Sequence, residues 1–318
     1  CQYLSGPSAG LRMADMGARV IKIERPGSGD AGRKLSIKNL WVDDSSLLFH
    51  TINRNKESFT ADLKSPEDLE IVKQLIKNAD VLTHNFRPGI MEKTGLDYAS
   101  VQQINPRIVY GAISGYGEKG PWKKKAGQDL LLQSISGLTF TSGNRADNPT
   151  PFGLSIADML CGAQLVQGIL AALIRRHKTG KGALVEVSLL ESLLDMQFEL
   201  LTTFYAGSAG LQRSAVSNGS PLLGAPYGIY KTNDGYIAIA MVKISDLAKA
   251  IHCDALAAYT QQDSFVKRDE IKSVLAAHLL TKSSACWLEK MLRQDLWAME
   301  VMDWQTLVTR DGYKHIEM

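Results

Sequence analysis

Cysteine is scarce in this chain of 318 residues, and charge of one sign does not dominate it. The four cysteines, Cys1, Cys161, Cys253 and Cys286, are scattered, with no CxxC pair and no histidine at ligand spacing. Neither a zinc site nor a disulfide framework is indicated, and a reducing cytoplasm is the expected location. The formal net charge of +3 is too small to argue for nucleic acid and is compatible with an anionic small ligand. No signal-peptide pattern is seen. No strand–GxGxxG–helix unit occurs either: the glycines of Arg25–Asp30 follow a strand and do not open a helix, so they do not argue for a dinucleotide. With 45% hydrophobic and 22% charged residues, the composition is that of a globular chain, long enough for two domains.

The most informative stretch runs from Pro151 to Asp195. Between Met159 and Ile174 there is no charged residue, and the apolar positions cover most of a helical wheel, with Gly162 and Gly168 allowing close approach. A helix apolar nearly all round is expected to be buried, and this one reads as too short to span a membrane. Arg175 to Lys178 fill its last turn, and Gly180 or Gly182 ends it. The run ALVEVSLL (183–190) then reads as a strand. Asp158 is thus a lone carboxylate at the mouth of an apolar helix. Its type and place fit an N-cap first, since capping residues are commoner than catalytic ones, and a reactive carboxylate second.

The rest of the chain alternates helices and strands. Ser8 fits the cap of a helix running to about Met16, and ARVIKIE is a β-branched strand. FTADL (59–63), a helix opened by Ser65-Pro66-Glu67-Asp68, and ADVLTHNF form an expected β-α-β unit with parallel strands. Ile108 to Ser114 is another strand. The basic loop with Lys123, Lys124 and Lys125 fits a solvated face or a guide for phosphates. Asp129 fits an N-cap of the helix after it. Residues 206–225 read as a linker. Pro226 to Ile239 reads as a hairpin turning through Thr232-Asn233-Asp234-Gly235, with helices at about 244–254, 266–280 and 283–294.

Several of these runs together resemble one family. They are an Asp before a Gly-containing helix that ends RRHKTGKG, the opening GPSAGLRMADMGARVIKIERPGSGD, and NFRPG followed by MEKTGLDY and NPRIVY. Over nearly the whole chain they resemble the class III CoA-transferases, the formyl-CoA transferase and carnitine CoA-transferase group. That resemblance implies an α/β fold: a Rossmann-like large domain with a parallel sheet (1–205), the linker (206–225) and a smaller α+β domain (226–318). It further implies an interlocked homodimer and a chain shortened at both ends relative to the family.

The site follows residue by residue from the same resemblance. Asp158 is the expected nucleophile and Asp129 an acid close to it. Arg25 is expected near CoA phosphates, Asn85 and Phe86 in the CoA pocket, and Lys64 and Lys93 as basic contacts to the nucleotide end. Lys93 stands where formyl-CoA transferase has Arg, keeping the charge but not the planar fork. The implied activity is transfer of CoA from an acyl-CoA to a carboxylic acid. Both are substrates, no metal or redox cofactor is required, and no nucleic acid or membrane partner is implied. The racemases of this fold have His where Gln128 stands and a Glu near Lys243, and Gln cannot exchange a proton near neutral pH. Ser217 to Pro226 lies near the family's glycine lid, with Gly219 and Gly224 but no glycine run. A CoA- or nucleotide-binding protein without turnover is the reading from a different class.

Overall fold

The computed structural model describes residues 1–207 and 211–316. They divide into two compact units. The first comprises Cys1–Leu138 and Pro151–Phe198, the second Thr139–Thr150 and the chain from Glu199 onward.

In the first unit the helices are α1 (Ser5–Asp15), α2 (Leu47–Asn53), α3 (Pro66–Asn78), α4 (Ile90–Thr94), α5 (Tyr98–Ile104), α6 (Asp129–Ile135), α7 (Ile156–Thr179) and α8 (Leu189–Met196). The strands are β1 (Val20–Glu24), β2 (Trp41–Val42), β3 (Ser45–Ser46), β4 (Lys56–Thr60), β5 (Val81–His84), β6 (Val109–Ser114) and β7 (Ala183–Ser188). β6 is the middle of a three-stranded parallel ladder, with Val109 opposite both Val81 and Ala183. Its Val109, Tyr110 and Ile113 are buried, as the central strand of a covered parallel sheet requires. β1 and β4 form a separate parallel pair, Val20 opposite Lys56.

Three local expectations change here. The strands flanking α3 do not share a ladder, because β4 pairs with β1 and β5 with β6. β4 also ends at Thr60, since the Asp62 N–H turns to the Asp68 carboxylate at 2.7 Å. α1 starts at Ser5 rather than after Ser8. Pro7 sits in its first turn, where no N–H is needed, and the Ser8 hydroxyl bonds back to the Ser5 carbonyl at 2.8 Å. α3 opens as read, with Ser65 at the cap and Pro at N1.

α7 is 24 residues long, so by length and composition it could cross a membrane, contrary to the expectation that it is too short. Nor is it buried all round. Ala157, Cys161, Leu165, Val166 and Ile169 join Val109, Ile113 and Leu132 in the core of the first unit. The opposite face leaves Leu170 40% and Ile174 67% exposed. Gly180, in the left-handed conformation, closes the helix.

In the second unit α9 (Phe198–Tyr205) leads in, its first residue belonging to the first unit. Then come β8 (Gly228–Lys231), β9 (Tyr236–Ile239), α10 (Ile244–Ile251), α11 (Asp254–Ala257), α12 (Asp263–Val266), α13 (Arg268–Leu279), α14 (Ser284–Leu292) and β10 (Ala298–Glu300). The hairpin β8–β9 is present, and β10 adds antiparallel to β9. Tyr230, Ile237, Leu247, Leu275 and Trp287 fill its core.

The expected linker is a packed strap. Residues 208–210 lie outside the described residues. Beyond them, Arg268 donates to the carbonyls of Gln212 and Pro221, the Ala215 N–H donates to Asp269, and the buried Lys272 amine donates to Ser214 and Ser217. Arg213 binds the carbonyls of Ser142, Asp147 and Asn148. That clasp draws Thr139–Thr150 into the second unit, so the first is interrupted where residues 1–205 were expected to run unbroken. Gly224 belongs to the same packing: a Cβ there would lie 2.3 Å from the Ser264 hydroxyl.

Candidate active site

Asp158 is the third residue of α7, not its cap. Ser155 holds the cap position and makes no side-chain cap bond. The capping oxygen comes from 28 residues upstream, where Asp129 Oδ1 accepts the N–H of Ala157 at 2.7 Å and that of Asp158 at 3.1 Å. These are orphan donors of the helix start. Asp129 Oδ2 accepts Gln133 Nε2 at 2.6 Å. Gln133 in turn donates to the Leu154 carbonyl and accepts the Phe152 N–H, which fixes the segment entering α7. Asp129 does not cap its own helix, contrary to the expectation from its position. Gln128 does so, its Oε1 accepting the Leu130 N–H at 3.1 Å.

Relieved of capping, the Asp158 carboxylate faces the start of α1. Its pKa is pushed up to about 6, first by burial and then by the Asp129 charge. The Ser5 hydroxyl and Ser5 backbone N–H pull it back down. A carboxylate that is ionised at neutral pH but poorly solvated is reactive as a base or nucleophile. α1 and α7 approach closely through Gly162, where a Cβ would lie 2.3 Å from the Ser8 hydroxyl and 2.8 Å from the Ser5 carbonyl. One turn on, burial raises the Cys161 thiol to about 12, so it is no competing nucleophile.

The other candidates fall at ends of parallel strands. Arg25 and Lys64 follow the C-terminal ends of the neighbours β1 and β4, the edge where α/β sheets collect ligands. Arg25, Lys64 and Lys93 are exposed and have no ion-pair partner among the described residues. The loop after Arg25 is held from below. Burial alone would raise the Glu24 carboxyl, but Arg33, with bonds of 2.7 and 2.8 Å, and the Asp30 N–H hold it below its ordinary value. Phe86 stacks over His84, whose imidazole burial pushes down to about 4. Lys123 pairs with Glu118, and Lys125 lies over Trp122.

The structure therefore brings Asp158, Asp129 and Asn85 together, the last through Ser5, which accepts from Asn85 Nδ2 at 3.4 Å. It leaves the basic candidates on the surface. Two participants escape a reading of the sequence. Ser5 precedes a Gly-Pro that looks like a chain break. Gln133 was detectable only as the i+4 neighbour of Asp129. Among the described residues no group of three or more His, Cys, Asp or Glu side chains is placed to hold a metal ion.

The chain is similar to known proteins in sequence and in fold. The succinyl-CoA:glutarate CoA-transferase of Mus musculus is 33% identical over 296 residues, 90% of this chain and 66% of that protein. The acetyl-CoA:oxalate CoA-transferase of Acetobacter aceti is 33% identical over 296 residues, 90% of this chain and 74% of that protein. The chain thus spans just under two thirds of the length of the mouse relative. A CaiB/BaiF family protein from Brucella suis superposes with a TM-score of 0.84 at 28% identity, over 99% of this chain and 84% of that one. The sequence model of CoA-transferase family III matches residues 1–318, and a match of that extent makes the chain a member of CoA-transferase family III.

Proposed function

We propose that this chain carries the nucleophile of a CoA-transferase that moves CoA from an acyl-CoA to a carboxylic acid. The observation that carries this reading is the Asp158 carboxylate itself: half-buried, raised to about 6, excused from capping and facing the start of α1. The Asp158 carboxylate attacks the thioester carbonyl, the C–S bond breaks, and a mixed anhydride and CoA thiolate form. The thiolate attacks the aspartyl carbonyl, releasing the donor acid and leaving an aspartyl-CoA thioester. The acceptor carboxylate attacks that thioester and expels the thiolate, giving a second anhydride. The thiolate then attacks the acceptor's acyl carbonyl, forming the new acyl-CoA and restoring Asp158. Covalent catalysis divides one difficult exchange into four easier steps.

The N–H groups of Ala157 and Asp158 are occupied by Asp129, so α7 does not supply the oxyanion donors its position suggests. The donors that fit are those at Ser5. Arg25, Lys64 and Lys93, with the Phe86 ring, suit the phosphates and base of CoA. The named substrates of the relatives, succinyl-CoA with glutarate and acetyl-CoA with oxalate, favour a dicarboxylic acid as acceptor. The exposed Leu170 and Ile174 on α7 favour pairing of two chains, in line with an interlocked homodimer in the cytoplasm. The test is to incubate the protein with succinyl-CoA, quench with hydroxylamine and map the product by mass spectrometry. A hydroxamate at Asp158 is expected, and an unmodified Asp158 after turnover sinks the covalent reading.

A further inference from the structure

Ser155, at the cap position of α7, makes no side-chain cap bond, and what seats the helix lies on α6. Asp129 and Gln133 stand one turn apart there, only 5% and 2% exposed. Gln133 makes three bonds. Its Nε2 donates to Asp129 Oδ2 at 2.6 Å and to the Leu154 carbonyl at 2.9 Å, and its Oε1 accepts the Phe152 N–H at 2.8 Å. A flipped amide would mismatch at every one of them.

These bonds reach the nucleophile by two routes. One runs along the chain, because Phe152 and Leu154 lie on the segment that enters α7 just ahead of Asp158. The other runs through Asp129. An aspartate carboxylate turns easily about χ2, since that torsion is broad. With Oδ2 pinned by Gln133, Oδ1 is left aimed at the N–H groups of Ala157 and Asp158. The three groups bonded to Asp129 are all donors, which suits an acceptor-only carboxylate. The Gln133 amide is too deeply buried to meet a substrate, so it acts only through these partners.

We propose that Gln133 is a positioning residue for the nucleophile: it orients the Asp129 carboxylate and the segment 152–154 so that the start of α7 presents Asp158 to the thioester. This rests on the reading of Asp158 as nucleophile.

The experiment reverses the polarity of the bond between residues 133 and 129. Gln133→Glu keeps the shape and the acceptor for the Phe152 N–H, but sets one carboxylate against another. Such a pair shares a proton and gives it up as pH rises. Adding Asp129→Asn lets the amide at 129 donate to the carboxylate at 133, which restores the bond in the opposite sense.

With succinyl-CoA as donor, kcat of Gln133→Glu should fall at least tenfold as pH rises, where wild type is flat, with donor KM within about twofold. The double variant should recover most of that loss and show no alkaline limb. If Gln133→Glu does not fold, the double variant should still fold and turn over. Unchanged kcat and pH profile in Gln133→Glu overturn the proposal by giving Gln133 no role. A tenfold rise in KM at constant kcat overturns it by making Gln133 a ligand contact. A double variant that is no faster than Gln133→Glu, or that fails to fold, overturns it because the effect then does not pass through Asp129. Wild-type enzyme that turns over without a covalent adduct at Asp158 overturns the functional reading instead, and this inference with it.

Discussion

The backbone N–H of Asp158 donates to the side chain of Asp129 at 3.1 Å, while the Asp129 charge helps to hold the Asp158 carboxyl near pH 6. One carboxylate thus seats the helix that carries the other and raises its basicity. Asp129→Asn keeps an oxygen for the two N–H groups and removes the charge. The acid limb of kcat/KM should therefore move to lower pH, with loss of turnover no more than about tenfold, or about 1.4 kcal/mol. A pH–rate profile of the variant decides this. An unmoved limb would show that Asp129 acts on Asp158 only as a cap.

Asp158→Asn should abolish transfer without weakening the fold. The folded protein holds the Asp158 proton more tightly than the unfolded chain does. That preference is a stability contribution present at low pH and lost as pH rises from about 4 to about 6, with no further change above. The amide has no such loss, so at pH 7 the variant should be more stable by about 1–3 kcal/mol, at about 1.4 kcal/mol per pKa unit. At pH 4 the two should melt together. Asp158→Glu displaces the carboxylate by about 1.5 Å and should lose about a hundredfold in kcat. Melting curves at the two pH values, beside the rates, check both parts.

Gly162→Ala tests the contact between α1 and α7. The added methyl meets the Ser8 hydroxyl and the Ser5 carbonyl, both tied into the first turn of α1. Relieving that overlap moves Ser5 from Asp158. The variant should lose about 1–3 kcal/mol of stability and more than about tenfold in kcat. Denaturation and steady-state kinetics read the two separately, and full activity would mean that the spacing of these helices is not critical.

Lys64→Ala addresses the nucleotide end. Lys64 is exposed with no ion pair among the described residues, so stability should change by no more than about 0.5 kcal/mol. Donor KM should rise several-fold at nearly constant kcat, as loss of uniform binding does. A large fall in kcat at constant KM would place Lys64 in the chemistry instead.

Proton exchange at the α-carbon of a 2-methylacyl-CoA should be absent. The Gln128 oxygen is bonded to the Leu130 N–H as a helix cap, and its amide titrates nowhere near neutral pH. Proton NMR in deuterated buffer checks this, and rapid wash-in of deuterium would restore racemisation as the activity.

Local physics was legible along the chain because it is written in neighbours. Ser65-Pro66 opens α3, Gly180 closes α7, and Thr232 to Gly235 turns the β8–β9 hairpin, each through contacts a few residues apart. Alternating apolar patterns marked the strands, whereas the apolar run of α7 read as buried all round and did not mark which face meets the core. The resemblance pointed to Asp158 and Asp129, but the residues alone left each as a carboxylate at a helix start. The pairing of carboxylate with helix is a matter of approach through space. Only the tertiary structure decided that Asp129 caps α7, that Gln128 caps α6 and that Asp158 is left facing Ser5. The same holds for β4 joining β1, for Thr139–Thr150 joining the second unit through Arg213, and for Asn85 holding Gln2 across 83 residues. Each such pairing satisfies backbone or side-chain polar groups that the local chain leaves open, and their partners exist only once the chain has folded.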